Sequence, residues 1–238
     1  MRKKPLLLLQ LGEPPQEIAA QVGEQADWFN AALAELGYPI HLVRPDLGLA
    51  LPAYAEVSAV MISGSWAMVT DRLPWSERTG AWLRDAFHAG MPMLGICYGH
   101  QLLAHALGGT VGDNPNGLEM GLLPVTLTAQ AQDDALLGSF PSHFTAYLTH
   151  KQSVLVPPVG AQVLATSDMD HCQIIRYSDR VLSSQFHPEF TADTMLACIS
   201  RNETALKRLG RDVDEMRQLG EKPIWARRLL LDFVNRFA

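Results

Sequence analysis

The sequence predicts an α/β protein: a mostly parallel central sheet flanked by helices, with a small antiparallel extension and C-terminal helices. Three observations carry this expectation. Through the first half, short apolar runs at residues 6–11, 40–43, 57–63 and 93–97 alternate with helical patterns at 18–36 and 75–89. Such alternation marks β-α-β units whose sheet is covered on both faces. After Gly108-Gly109, strand candidates crowd together at 121–128, 143–148, 163–165, 173–177 and 181–186, separated by Pro, Gly, Asp and Ser. From Ala192 onward the pattern is helical again.

The start, Met1-Arg2-Lys3-Lys4-Pro5-Leu6-Leu7-Leu8-Leu9, mimics a secretory signal. Its apolar run is broken by Gln10 and Glu13 and lacks a small-residue cleavage site, so it reads as a first buried strand. No apolar stretch approaches the ~20 residues of a membrane-spanning helix, and a soluble protein is expected. In the first helical pattern Ile18, Val22, Ala26, Phe29, Leu33 and Leu36 form one stripe, and Gly37 supplies the stop. The next helix opens near Trp75, after Pro74, and ends before Gly90. Near the C-terminus Met195, Ile199, Leu206 and Leu209 share a face, and a last segment covers 224–237. Its Arg227, Arg228 and Arg236 read as a solvated face. The expectation is one domain over 1–238, with a core at about 5–190 and a helical tail at 191–238.

With 47% hydrophobic and 18% charged residues among 238, the chain can bury a sizeable core. Its formal charge is −6, and its Lys and Arg are scattered, which argues against nucleic acid and for a small neutral or zwitterionic substrate. Cys97, Cys172 and Cys198 are odd in number and widely spaced, so neither a disulfide framework nor a paired metal site is expected. A reducing, cytoplasmic location follows.

The most informative stretch is Gly95-Ile96-Cys97-Tyr98-Gly99-His100-Gln101, where an apolar strand runs into a helical pattern. Glycines two before and two after a residue on a sharp strand-to-helix turn remove side chains that would clash. The thiol is thereby held at the carboxyl end of the sheet, where open α/β folds place ligands. A helix N-terminus and a nearby imidazole would both favour the thiolate. A buried packing cysteine is the equal alternative for the Gly-x-Cys-x-Gly core alone. His100 and His105, five apart, do not share a helical face as metal ligands would, and read as structural or solvent-facing.

A second stretch, Gln185-Phe186-His187-Pro188-Glu189, puts a carboxylate two residues after a histidine. In an extended segment both side chains fall on one side, and Pro188 biases His187 toward extended geometry. A carboxylate on one imidazole nitrogen fixes the tautomer and frees the other to take a thiol proton. By itself His-Pro-Glu reads as a surface turn. Acyl transfer also needs donors for the oxygen of a tetrahedral intermediate, and Val60-Met61-Ile62-Ser63-Gly64-Ser65-Trp66, at another strand end, is a natural source. Asp168, Asp170, His171 and Cys172 match no strong ligand spacing and read as a polar turn, so no metal is expected.

Gly95-Ile96-Cys97-Tyr98-Gly99-His100-Gln101 closely resembles the nucleophile motif of class I glutamine amidotransferases, including the glutaminase domain of GMP synthetase. His187-Pro188-Glu189 matches that family's second signature, in the same chain order, and the resemblance covers about residues 6–190. It implies a flavodoxin-like fold, a catalytic Cys97, His187 and Glu189, and no cofactor. It also implies that Gln101 helps hold substrate glutamine, and that the amide of Gly64 or Ser65 acts with that of Tyr98 as the oxyanion hole. Ser65 and Trp66 depart from the commoner glycine-proline pattern there. The family position that precedes a loop contacting the α-amino and α-carboxylate groups of glutamine falls at Thr149-His150-Lys151-Gln152. Lys151 stands where several relatives have glycine, and it reads equally as a surface lysine.

Three functions follow from the resemblance. The first is a glutaminase that passes ammonia to an unknown acceptor. The chain has no Walker-type loop or nucleotide fingerprint, so a synthetase partner subunit would supply that step. The second is a stand-alone γ-glutamyl peptidase or hydrolase, because Val69-Thr70-Asp71-Arg72-Leu73-Pro74-Trp75 resembles stand-alone amidotransferase-like proteins. The third is a non-catalytic amidotransferase-like binding protein.

Overall fold

The computed structural model describes residues 4–238. The basic start at residues 1–3 lies outside them. Strand β1 (Leu6–Leu9) is buried at every position. Leu6 and Leu8 pack into one cluster with Phe29 and Leu229, and Leu7 and Leu9 into another with Leu83 and Leu102. A strand covered on both faces has no use for polar alternation, which is why four leucines run together.

Around β1 the parallel sheet adds β2 (Ile40–Val43), β3 (Val60–Ile62) and β4 (Met93–Ile96). On one face lies α2 (Gln25–Leu33), preceded by α1 (Gln16–Val22), and on the other α3 (Pro74–His88) and α4 (Tyr98–Ala106). The single helix expected over 18–36 is therefore two. Gly23, at φ 77°, ends the first, and the Asp27 carboxylate accepts the Glu24 N–H at 2.9 Å to open the second. Gly37 closes the segment in the left-handed region, as the sequence predicts.

The second half contributes β5 (Thr110–Asp113), β6 (Glu119–Leu127), β7 (His143–His150), β8 (Gln152–Val156), β9 (Gln162–Thr166), β10 (Ile174–Ser178) and β11 (Val181–Ser184). One nine-stranded sheet runs β2-β1-β3-β4-β11-β10-β9-β6-β7. It is parallel from β2 through β11 and antiparallel beyond. The antiparallel extension thus continues the central sheet. A separate β5-β8 ribbon, which the sequence does not predict, lies apart from it. Strand β5 is short and nowhere fully buried, so its hydrophobic signal is weak.

The helical tail comprises α5 (Ala192–Arg208), α6 (Val213–Met216) and α7 (Ile224–Phe237). Leu229, Leu230 and Phe233 of α7 are fully buried on the face that carries Leu6, Leu8 and α2. The tail therefore docks on its own core. Leu209 is 59% exposed and does not join Met195, Ile199 and Leu206, because α5 ends at Arg208. Among the described residues, no helix is long and apolar enough to cross a membrane.

Candidate active site

The turn between β4 and α4 sets the site. Cys97 occupies it with φ 51° and ψ −103°, a conformation that costs a non-glycine residue about 1–3 kcal/mol and is held only by its surroundings. Those surroundings are backbone. A β-carbon at Gly95 would lie 2.6 Å from the Gly99 carbonyl oxygen, and one at Gly99 would run into the Ile62 carbonyl. The Cys97 N–H donates to Ser184 O on β11, and the Gly99 N–H donates to Ser63 O beyond β3. The two strands flanking β4 thus clamp its turn.

His187 follows β11, and its N–H donates to Tyr147 O on β7. Its ring Nδ1 lies 2.7 Å from Glu189 Oε1, with both side chains buried. The contact expected from extended geometry is made by a turn instead: strand β11 stops at Ser184, and the Phe190 N–H returns to His187 O at 3.4 Å. Proline after His187 suits the second position of such a turn. Phe190 stacks on the imidazole at 4.0 Å between centroids. The other ring nitrogen, Nε2, is buried without a hydrogen bond from the described residues. Burial disfavours charge on this ring, but the Glu189 carboxylate and then Cys97 outweigh it and push His187 up to about 10.

Cys97, His187 and Glu189 line one cavity of about 310 Å³, together with Gly64, Ser65, Tyr98, Gln101, Thr149 and Lys151. Every site residue named from the sequence is therefore brought together. Gly64 sits where a side chain would press on the histidine. The Ser63 hydroxyl donates to Gly64 O at 2.8 Å, which fixes the Gly64–Ser65 peptide plane and aims the Ser65 N–H the opposite way. Tyr98 opens α4, so its N–H has no helical carbonyl to reach. Gln101 donates through Nε2 to Gln152 O at 2.7 Å and to Gln185 Oε1 at 2.9 Å. The Thr149 carbonyl lies 3.8 Å from Cys97 Sγ, and the Lys151 side chain is exposed.

Among known families, the chain matches the model of glutamine amidotransferase class-I over residues 26–205. The chain belongs to this family. GMP synthase of Aeropyrum pernix is 35% identical over 171 residues, 70% of this chain and 31% of that protein. Gamma-glutamyl peptidase 5 of Arabidopsis thaliana is 35% identical over 111 residues, 46% of this chain and 44% of that one. The chain thus spans less than half the length of either relative. A glutamine amidotransferase from Thermotoga maritima superposes with a TM-score of 0.80 at 21% identity, covering 99% of this chain and 98% of the other, which establishes the fold.

Three parts of this site are not legible in the sequence. Trp28, Trp66 and Phe190 form an aromatic wall, with Trp28 edge-on to the other two at 6.4 and 5.3 Å. Trp28 lies beside Phe29 in the first helical pattern but off its apolar stripe, and nothing local ties it to a site. Arg201 and Asn202 of α5 also line the cavity, and Arg201 pairs with Glu17 of α1. The helical tail therefore reaches the site. Asp170, expected to be a turn residue, buries its carboxylate beside His150 and Glu119.

Proposed function

We propose that this amidotransferase-family protein hydrolyses γ-glutamyl amides through a thioester on Cys97. The observation that supports it best is the His187–Glu189 contact at 2.7 Å, with Nε2 left unpartnered beside Cys97 at a strained strand-to-helix turn. The Cys97 thiolate adds to the γ-carbonyl, whose oxygen becomes an oxyanion met by the Ser65 and Tyr98 amides. The carbon–nitrogen bond then breaks as His187 gives its proton to the departing nitrogen, releasing ammonia or an amine. Water adds to the thioester with its proton passing to His187. Expulsion of the thiolate completes the turnover and leaves glutamate. Glu189 orients the imidazole throughout and stabilises its protonated form.

Gln101 spends its amide hydrogens on Gln152 and Gln185, which leaves its carbonyl as the acceptor for a substrate ammonium or amide. Thr149 and Lys151 flank the glutamyl end, where a lysine suits an α-carboxylate. No cofactor takes part. Three free cysteines are consistent with a reducing, cytoplasmic setting.

A second reading of the acceptor has its own observation. Ammonia has no apolar surface, yet Trp28, Trp66 and Phe190 line the cavity, and Trp66 remains 36% exposed. An apolar leaving amine, as in a γ-glutamyl peptide, would cover that wall. The glutaminase reading is supported instead by the resemblance to a glutamine-hydrolyzing GMP synthase subunit of Methanocaldococcus jannaschii, 33% identical over 135 residues, 56% of this chain and 65% of that one. It calls for a synthetase partner subunit.

The test compares ammonia release from glutamine with cleavage of γ-glutamyl peptides, using wild type and Cys97→Ala. Loss of both activities in the variant, with a glutamine-like diazoketone attached to Cys97 in wild type, is expected. Full activity of Cys97→Ala would overturn the mechanism.

A further inference from the structure

Beside the cavity, which His150 itself lines, lies a cluster of ionisable side chains that the mechanism above does not use. Glu119 and His150 face each other across the β6–β7 pairing, with side chains 2% and 1% exposed. His150 Nε2 is 2.6 Å from Glu119 Oε2, and its Nδ1 is 2.9 Å from Gln152 O. Asp170 Oδ2 stands 3.9 Å from Nδ1 and is itself buried without a hydrogen bond from the described residues.

The donor inventory places one proton and favours the position of the other. A backbone carbonyl only accepts, so Nδ1 carries a hydrogen. Glu119 already accepts from the Ser167 hydroxyl at 2.7 Å on one oxygen and from Gln173 Nε2 at 2.8 Å on the other. Hydrogen bonds received on both oxygens favour its carboxylate form, and a carboxylate opposite Nε2 places a hydrogen there as well. A ring protonated at both nitrogens is a cation, and a buried cation needs compensating charge. Asp170 supplies the second carboxylate, which accounts for a buried oxygen otherwise left alone. The neighbouring His100 adds no opposing charge, since burial, reinforced by His150, holds it down to about 3. Glu119, His150 and Asp170 also bring oxygen and nitrogen atoms within 4.8 Å of one another, as metal ligands would be. Here the shared hydrogen occupies that place, and Glu119 has no oxygen free of protein donors.

The chain of contacts then runs into the site. Gln152 O, which receives His150 Nδ1–H, also receives Gln101 Nε2–H, and the Thr149 carbonyl next to His150 faces Cys97 Sγ. We propose that Glu119 and Asp170 hold His150 as a buried imidazolium that fixes the Gln152 carbonyl, and through it Gln101, making His150 a positioning residue for the glutamyl side of the cavity. The kinetic part rests on the γ-glutamyl reading above, and the protonation part does not.

Nitrogen-15 NMR of the histidine-labelled full chain at about pH 8 tests the first part, with the His150 signals assigned by their loss in His150→Gln. Both ring nitrogens should show the imidazolium pattern. A neutral tautomer would overturn the proposal, whether or not the protein cleaves γ-glutamyl amides. For the second part, His150→Gln and Glu119→Gln should raise KM for a γ-glutamyl anilide roughly tenfold or more, the scale of losing a charged hydrogen bond. The rate of Cys97 alkylation by iodoacetamide, which needs no glutamyl wall, should stay unchanged. Glu119→Asp, which keeps the charge, should restore part of the affinity, and it carries this comparison if the other variants do not fold. An unchanged KM, or kcat and alkylation falling together, would reduce His150 to a structural role and sink the positioning claim.

Discussion

Gly64 stands against His187: a β-carbon added at residue 64 would lie 3.0 Å from the imidazole Cε1 and 3.6 Å from Cys97 Cβ. The loop after β3 therefore needs glycine here for space, because its φ is unexceptional. Gly64→Ala should push the imidazole off its line to Cys97 and lower kcat roughly tenfold to a hundredfold, the usual result of a small misplacement of reacting groups. Thermal melting should move little. Equal activity in the variant would show that the ring has room to give.

Thiol chemistry should single out one cysteine. Burial pushes both Cys172 and Cys198 up to about 12, so each stays a neutral thiol across the ordinary range. Cys97 opens onto the cavity beside a charged imidazole. Peptide mapping after brief iodoacetamide treatment at neutral pH should find label on Cys97 alone. Comparable label on Cys172 in folded protein would contradict the burial argument.

Two histidines should tilt the pH dependence of stability in opposite directions. His100 is buried against Ser183 at 2.7 Å and held down to about 3, so its contribution is complete above about 6.5 and is lost as pH falls toward 3. His187 is held up to about 10, so its contribution is complete below about 6.5 and is lost as pH rises through 10. Each slope is at most about 1.4 kcal/mol per pH unit. Urea unfolding across pH should show His100→Gln flattening the acid limb and His187→Gln the alkaline one. A variant that flattens the opposite limb would reverse the assigned direction of its shift.

The docking of α7 should be worth several kcal/mol. Phe233 is fully buried in the cluster that includes Leu6, Leu8 and Phe29. Phe233→Ala should destabilise by about 3–5 kcal/mol, read from denaturant midpoints. A change below about 1 kcal/mol would mean that the tail can leave the core at little expense.

What the sequence disclosed follows from how local each signal is. The four leucines of β1 and the glycines around Cys97 act through their immediate neighbours, and the structure places them as the sequence predicts, whereas Pro188 serves a turn in place of the expected extended segment. The division at Gly23 is masked in the sequence by an unbroken apolar stripe, because that stripe serves two helices as well as one. Glu119, His150 and Asp170 come from β6, β7 and the turn before β10, and only strand order brings them together. The aromatic wall has the same character: Trp28, Trp66 and Phe190 belong to three separated segments.

That wall gives the sharpest way to separate the two acceptors. Trp66 is partly exposed and edge-on to Trp28, so removing its ring opens the mouth without excavating the core. If the leaving amine packs there, Trp66→Ala loses apolar contact that glutamine never made. Burying part of an aromatic ring is worth about 1–2 kcal/mol, or roughly fivefold to thirtyfold in affinity. KM for a γ-glutamyl peptide with an aromatic second residue should rise by that factor, while KM for glutamine stays put. If both rise together, the ring supports the site instead of the amine. If only glutamine is affected, the wall belongs to the glutamyl side and the peptide reading fails.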